Sequence, residues 1–237
     1  KRAYNNRTVR DTEMANNLDR ITGDYNDFWA GRDYLNDMKP MKAALLMSHG
    51  FNDWNVMPEH SYRIAMEAKK MGLPVQIYYH QAGHGGPPPI SMMNRWFTKY
   101  LHGIDNGVEN DPKAQIVREG DSPQEPTPYA DYPNPQASDV TFYLKAGGKV
   151  HGSLSTSKAQ SKGQETLTDN VNFSGAQLAQ ADESEHRLLY VTPKLTEPLH
   201  ISGVARVTIE LASSKPAANL SVWLVSLCFD SIPFILY

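Results

Sequence analysis

Two hydrophobic rhythms run along this chain, and the change between them falls near residue 138. In the first part, residues 43–47 form a short continuous apolar run, and residues 75–79 form a second one rich in β-formers. Between them Tyr62, Ala65, Met66 and Ala68 recur at helical spacing, with Lys69 and Lys70 near the end and Gly72 as the stop. Continuous runs of strand length predict strands covered on both faces, as in a parallel sheet. Strand, helix, strand is one βαβ unit with a right-handed crossover. A further amphipathic helix is expected over residues 90–102, with Met93, Trp96, Phe97, Tyr100 and Leu101 at helical spacing and both Trp96 and Phe97 in the core. Upstream, residues 2–20 are polar with weak helical spacing, which predicts a cap on the sheet or part of a helical lid. The aromatic stretch at residues 25–29 predicts a helix packing its rings under the sheet.

Between Asn110 and Pro135 six prolines accompany acids and few aliphatics. Such a stretch builds neither a helix nor a central strand, which leaves a short strand over 114–118 and then an extended connection. From Ser138 the pattern is β. Residues 140–144, 187–192, 199–211 and 219–227 are rich in Val, Ile, Leu and Thr, with Gly and Pro punctuation, and predict a β-sandwich. Gly203 marks a bulge or bend in the longest of these strands. The expected division is therefore 1–110, a Pro-rich linker over 111–137, and a β-sandwich over 138–237.

Candidate chemistry collects beyond the carboxyl ends of the first two strands, where parallel sheets place their functional groups. Asp53 follows the first strand and His84 the second. Parallel neighbours bring both to one sheet edge, where an acid can fix the imidazole tautomer and steady the imidazolium formed during nucleophilic attack. Acid before histidine fits the last two terms of the α/β-hydrolase order. Two other readings of the same histidines are weaker. His49-Gly50 and His84-Gly85-Gly86 look like an esterase oxyanion motif, but that motif precedes a nucleophile elbow and none follows. His80 and His84 with His49 or Asp53 offer metal-type ligands, yet their spacing spans a strand end and a turn. Asn52 and Trp54 are expected to shape the loop around Asp53.

HGFNDWNV followed by HQAGHGG resembles the X-prolyl dipeptidyl aminopeptidase family of serine peptidases. FWAGRDYL at 28–35 and MMNRWFTKYLHGIDNGV at 92–108 resemble it too, with a looser likeness running to about Val225. The resemblance implies that Asp53 is the triad acid and His84 the triad histidine. It also implies a jelly roll for the β region, and a serine nucleophile on an upstream elbow. No G-x-S-x-G occurs in these residues. The fold expected is the C-terminal part of an α/β-hydrolase domain followed by an incomplete jelly-roll sandwich, whose open edges invite association into homo-oligomers. The expected partners are a peptide with proline at its second position and the missing N-terminal half of the same protein. No cofactor is expected. Cocaine-esterase-like and α-amino-ester hydrolases share the triad and the jelly roll and stand as alternatives. A fragment inert in catalysis, acting through its β domain in binding or assembly, is another.

Composition adds limits. The 237 residues are 21% charged and 40% hydrophobic, with a net charge of −3, in the range of a soluble globular protein. No basic stripe with interleaved aromatics points to nucleic acid, and no apolar run approaches a membrane span. One cysteine, Cys228, excludes an internal disulfide framework. The N-terminal residues lack the apolar core of a signal peptide, and they lack an initiator Met, which leaves the compartment open between cytoplasm and export. The apolar tail at 226–237 ends abruptly for a sandwich strand and suggests a truncated or frame-shifted chain.

Overall fold

The apolar runs at 43–47 and 75–79 both become strands. β1 (Leu45–Gly50) and β2 (Val75–His80) pair in parallel, from Leu45 opposite Val75 to Gly50 opposite His80. The computed structural model describes residues 1–158, 163–216, 218 and 220–226. Two compact units divide them: residues 1–129 with those of 204–222, and residues 130–203 with those from 223 on.

In the first unit the crossover is the helix Pro58–Lys70, which starts with Pro at its first turn and ends before Gly72, whose φ of +74° suits the left-handed stop. Ser61, Ala65 and Ala68 are its buried residues. Small side chains there let the helix lie close against β2, every residue of which is buried. β3 (Ala114–Ile116) adds to β2 in parallel, and β4 (Thr127–Tyr129) closes the order β1-β2-β3-β4 as an antiparallel edge. The sheet thus runs into the Pro-rich window. Pro128 lies within β4, on an edge, where a missing N–H costs no ladder bond. β1 differs from expectation: it is only half-buried, because it is the other edge of this sheet.

The helix Ile90–Tyr100 follows the second crossover loop. Trp96 is buried and its ring meets Tyr100 at 4.4 Å. Phe97, expected in the core, is 44% exposed, since one residue further turns the side chain about 100° around the helix. The aromatics of residues 25–29 do not pack under the sheet either. The short helix Asp27–Ala30 is capped by the Asn26 side chain, Tyr25 and Trp29 are exposed, and Phe28 packs edge-on against Trp29 with the Arg32 guanidinium over the Phe28 ring, 3.5 Å from its centre. Residues 2–17 are helical, with wide i→i+5 turns over Asn6–Met14 and no buried side chain. No helix among the described residues is long and apolar enough to cross a membrane.

The second unit holds a small mixed sheet. β5 (Tyr143–Lys145) pairs antiparallel with β6 (Gly152–Ser155), which pairs in parallel with β7 (Tyr190–Val191). Arg187 ties this unit together. Its buried guanidinium donates to the carbonyls of Gly148, Lys149 and Val150 on one side and of Leu178 and Ala181 on the other. Glu165 accepts from the Tyr190 hydroxyl at 2.7 Å and from the amides of Gly147 and Gly148. Gly175–Gln180 forms a short helix, where Ser174 and Gln177 make a reciprocal capping box.

The architecture is therefore a small, mainly parallel sheet with helices, followed by a small mixed sheet. The expected strand over 199–211 carries no ladder, and no strand is formed by the described residues of 219–227, of which Asn219 and Leu227 lie outside the described residues. Gly203, expected at a bend, does sit in one, with φ +114° and the Tyr132 hydroxyl at its amide and carbonyl. Of the apolar tail at 226–237, all but Ser226 lies outside the described residues, Cys228 included.

Candidate active site

β1 runs further than its apolar core, through Ser48, His49 and Gly50, because each of these pairs with β2. The loops that follow β1 and β2 then leave the sheet at the same edge and interlock. Phe51 N–H donates to the His80 carbonyl at 2.7 Å, Asn52 N–H to that of Ala82 at 3.3 Å, and the Asn52 amide group to that of Gln81 at 2.6 Å. Ser48 Oγ donates to the Gly86 carbonyl at 2.8 Å. Gly50 is the point of closest approach: a Cβ there would stand 2.2 Å from the Ala82 oxygen and 2.5 Å from that of Gly83. The Gly-rich loop is therefore fastened on both sides of His84.

Asp53 lies in this junction, 5% exposed. Its Oδ1 accepts from the amides of Asn55 at 2.9 Å and Val56 at 3.0 Å, the side-chain-to-backbone turn that aspartate favours. Its Oδ2 lies 2.9 Å from Nδ1 of His84. The Val56 amide contributes most to lowering the Asp53 carboxyl to about 2, with His84 and the Asn55 amide adding to it and burial opposing. A lowered carboxyl stabilises the fold above the ordinary value of about 4, and that contribution is lost as pH falls towards 2.

An ionised carboxylate only accepts, so Nδ1 of His84 is the donor and Nε2 carries the lone pair. The His84 side chain is 64% exposed, and Nε2 has no partner among the described residues. The pair can thus take a proton from a group brought to Nε2 and hold the resulting charge. His80 plays no such part. It is buried, its Nδ1 accepts from the Ala82 amide at 3.2 Å, and burial lowers its pKa. Gly86 sits against its ring, where a Cβ would come within 2.7 Å. Among the described residues no group of three His, Cys, Asp or Glu side chains is arranged to hold a metal ion.

The X-Pro dipeptidyl-peptidase C-terminal non-catalytic domain profile matches residues 106–231, more than half of the chain. The X-Pro dipeptidyl-peptidase (S15 family) profile matches residues 2–86, which include both Asp53 and His84. The chain belongs to the X-Pro dipeptidyl-peptidase family. Relatives carrying the Xaa-Pro dipeptidyl-peptidase name include one from Rhodopirellula baltica, 57% identical over 97% of this chain, and one from Bacillus anthracis, 32% identical over 90%. Another, from Lactobacillus helveticus, is 26% identical over 88%. The chain spans 37%, 36% and 28% of the length of these three dipeptidyl-peptidase relatives.

Sequence reasoning offers His49-Gly50 only as an oxyanion-type motif and His49 as a metal-type ligand, and it passes over Ser48. The contacts of all three arise only when the two loops meet. Gly50 tests the interlock. In the complete protein, Gly50→Ala is expected to cost about 1–3 kcal/mol of stability, because backbone rather than a flexible side chain must give way. The contact between Asp53 and His84 should lengthen as the loop that carries His84 is pushed back. Thermal unfolding and a structure of the variant check both.

Proposed function

We propose that the complete protein is a serine exopeptidase that removes X-Pro dipeptides from peptide N-termini, and that this chain supplies the acid and the histidine of its triad. One observation carries the reading: the 2.9 Å contact between Asp53 Oδ2 and His84 Nδ1, with the other carboxylate oxygen fixed by two amides. A serine from the part of the protein outside these residues would attack the carbonyl after proline. His84 would take its proton and later deliver it to the leaving amine, while Asp53 orients the ring. The family to which the chain belongs and the names of its relatives support an X-Pro peptide as substrate. The same reading gives residues 138–237 to a jelly-roll domain after the catalytic part, with the passage between them inside the Pro-rich window.

The absence of G-x-S-x-G from these residues has a direct consequence. The 237-residue chain alone should not hydrolyse Ala-Pro or Gly-Pro anilides. The complete protein should hydrolyse them in preference to simple acyl esters. Robust turnover by the chain alone, abolished by His84→Ala, would show a nucleophile within it. A complete protein that prefers esters would replace the peptidase by an ester hydrolase.

A further inference from the structure

Asp53 has a second histidine. The Nε2 of His49, near the end of β1, lies 2.8 Å from the Val56 carbonyl and 3.4 Å from Oδ2 of Asp53, the oxygen that also meets His84. The His49 side chain is only 11% exposed. A carbonyl only accepts, so His49 Nε2 donates to Val56. The Val56 amide in turn donates to Asp53 Oδ1 at 3.0 Å. One residue of the loop is thus held from both ends, by the strand on its carbonyl and by the acid on its amide.

We propose that His49 is a positioning residue for Asp53, holding the acid's loop to β1 through the Val56 carbonyl so that Oδ2 stays aimed at His84. The inference rests on the reading of Asp53 and His84 as triad members. A strand residue paired in register, as His49 is with Tyr79, is a firm anchor for a loop that otherwise leans on its own turn. Without the donor, the Val56 carbonyl loses its protein partner and the turn can swing.

Two polar replacements separate this role from mere filling of space. Glutamine can present its amide nitrogen near the position of Nε2, whereas the asparagine amide is too short to reach Val56. In the complete protein, assayed on Ala-Pro anilide, His49→Asn should lower kcat about tenfold with KM changed less than about twofold. His49→Gln should stay within about threefold of the parent kcat. Thermal unfolding is followed for both. Equal kinetics for the two variants, a loss carried by KM alone, or a loss that merely tracks a lowered unfolding temperature would overturn the role. His84→Ala in the same assay keeps the two claims apart. If it retains turnover, the triad reading itself falls. If it is inactive while His49→Asn matches the parent, only the positioning role falls.

Discussion

Replacing His84 by Ala in the complete protein should lower turnover of an X-Pro anilide by at least about a thousandfold. His84 is the largely exposed histidine at this junction, with its Nε2 unoccupied by any described residue and the Asp53 carboxylate 2.9 Å from its Nδ1. The alanine variant leaves Asp53 held by the Asn55 and Val56 amides. It also leaves the backbone fastenings at Ala82 and Gly86 in place. Because the side chain is largely exposed, its removal opens no cavity, and the melting temperature should barely move. A large loss of turnover in a protein of unchanged stability would thus report chemistry rather than folding.

Asp53→Asn should cost at least about a hundredfold in turnover, with substrate binding nearly intact. The general serine-protease case, in which the same change costs about 10⁴, gives the direction and the scale. Here the cause would be protonation. The carboxylate keeps the proton of His84 on Nδ1, 2.9 Å away, and leaves Nε2 basic. An amide can donate to Nδ1 instead and hold the proton on Nε2, where it blocks the base. The Asn side chain barely changes volume and its oxygen can still accept from the Asn55 and Val56 amides, so the loop should keep its turn. Kinetics on a variant whose thermal unfolding matches the parent checks this. Activity equal to the parent would move the triad acid elsewhere on the sheet edge.

The meeting of Asp53 and His84 was legible because it follows from topology alone. Two parallel strands deliver their following loops to one edge, and the run at residues 75–79, rich in β-formers, reads as a buried strand and is one. In the helix Pro58–Lys70 the glycine stop and the inward Ala65 and Ala68 are local signals, whereas Ser61 is buried unannounced and Tyr62 and Met66 are only half-buried. What sequence could not show was contact between distant backbones. Nothing in Ser48-His49-Gly50 announces that a hydroxyl will reach Gly86, that a ring will reach Val56, or that two carbonyls will crowd a Cα. The β pattern of residues 199–211 misled for a related reason. Alternation says that a segment can be a strand, but a ladder needs a partner, and in this structure Ile201, Val207, Ile209 and Leu211 are all exposed. Phe97 stands beside Trp96 among the apolar residues of its helix, yet Trp96 alone of that helix is buried.

Base chemistry at His84 requires the ring proton on Nδ1 and a bare Nε2. Nitrogen NMR of the His84 ring, at a pH above the ordinary imidazole range of about 6.5, reads this directly without any assay of turnover. The complete protein should show a protonated Nδ1 and a bare Nε2, and Asp53→Asn should shift the proton towards Nε2. A parent protein whose His84 already carries its proton on Nε2 would contradict the account, because Asp53 would then be holding no base.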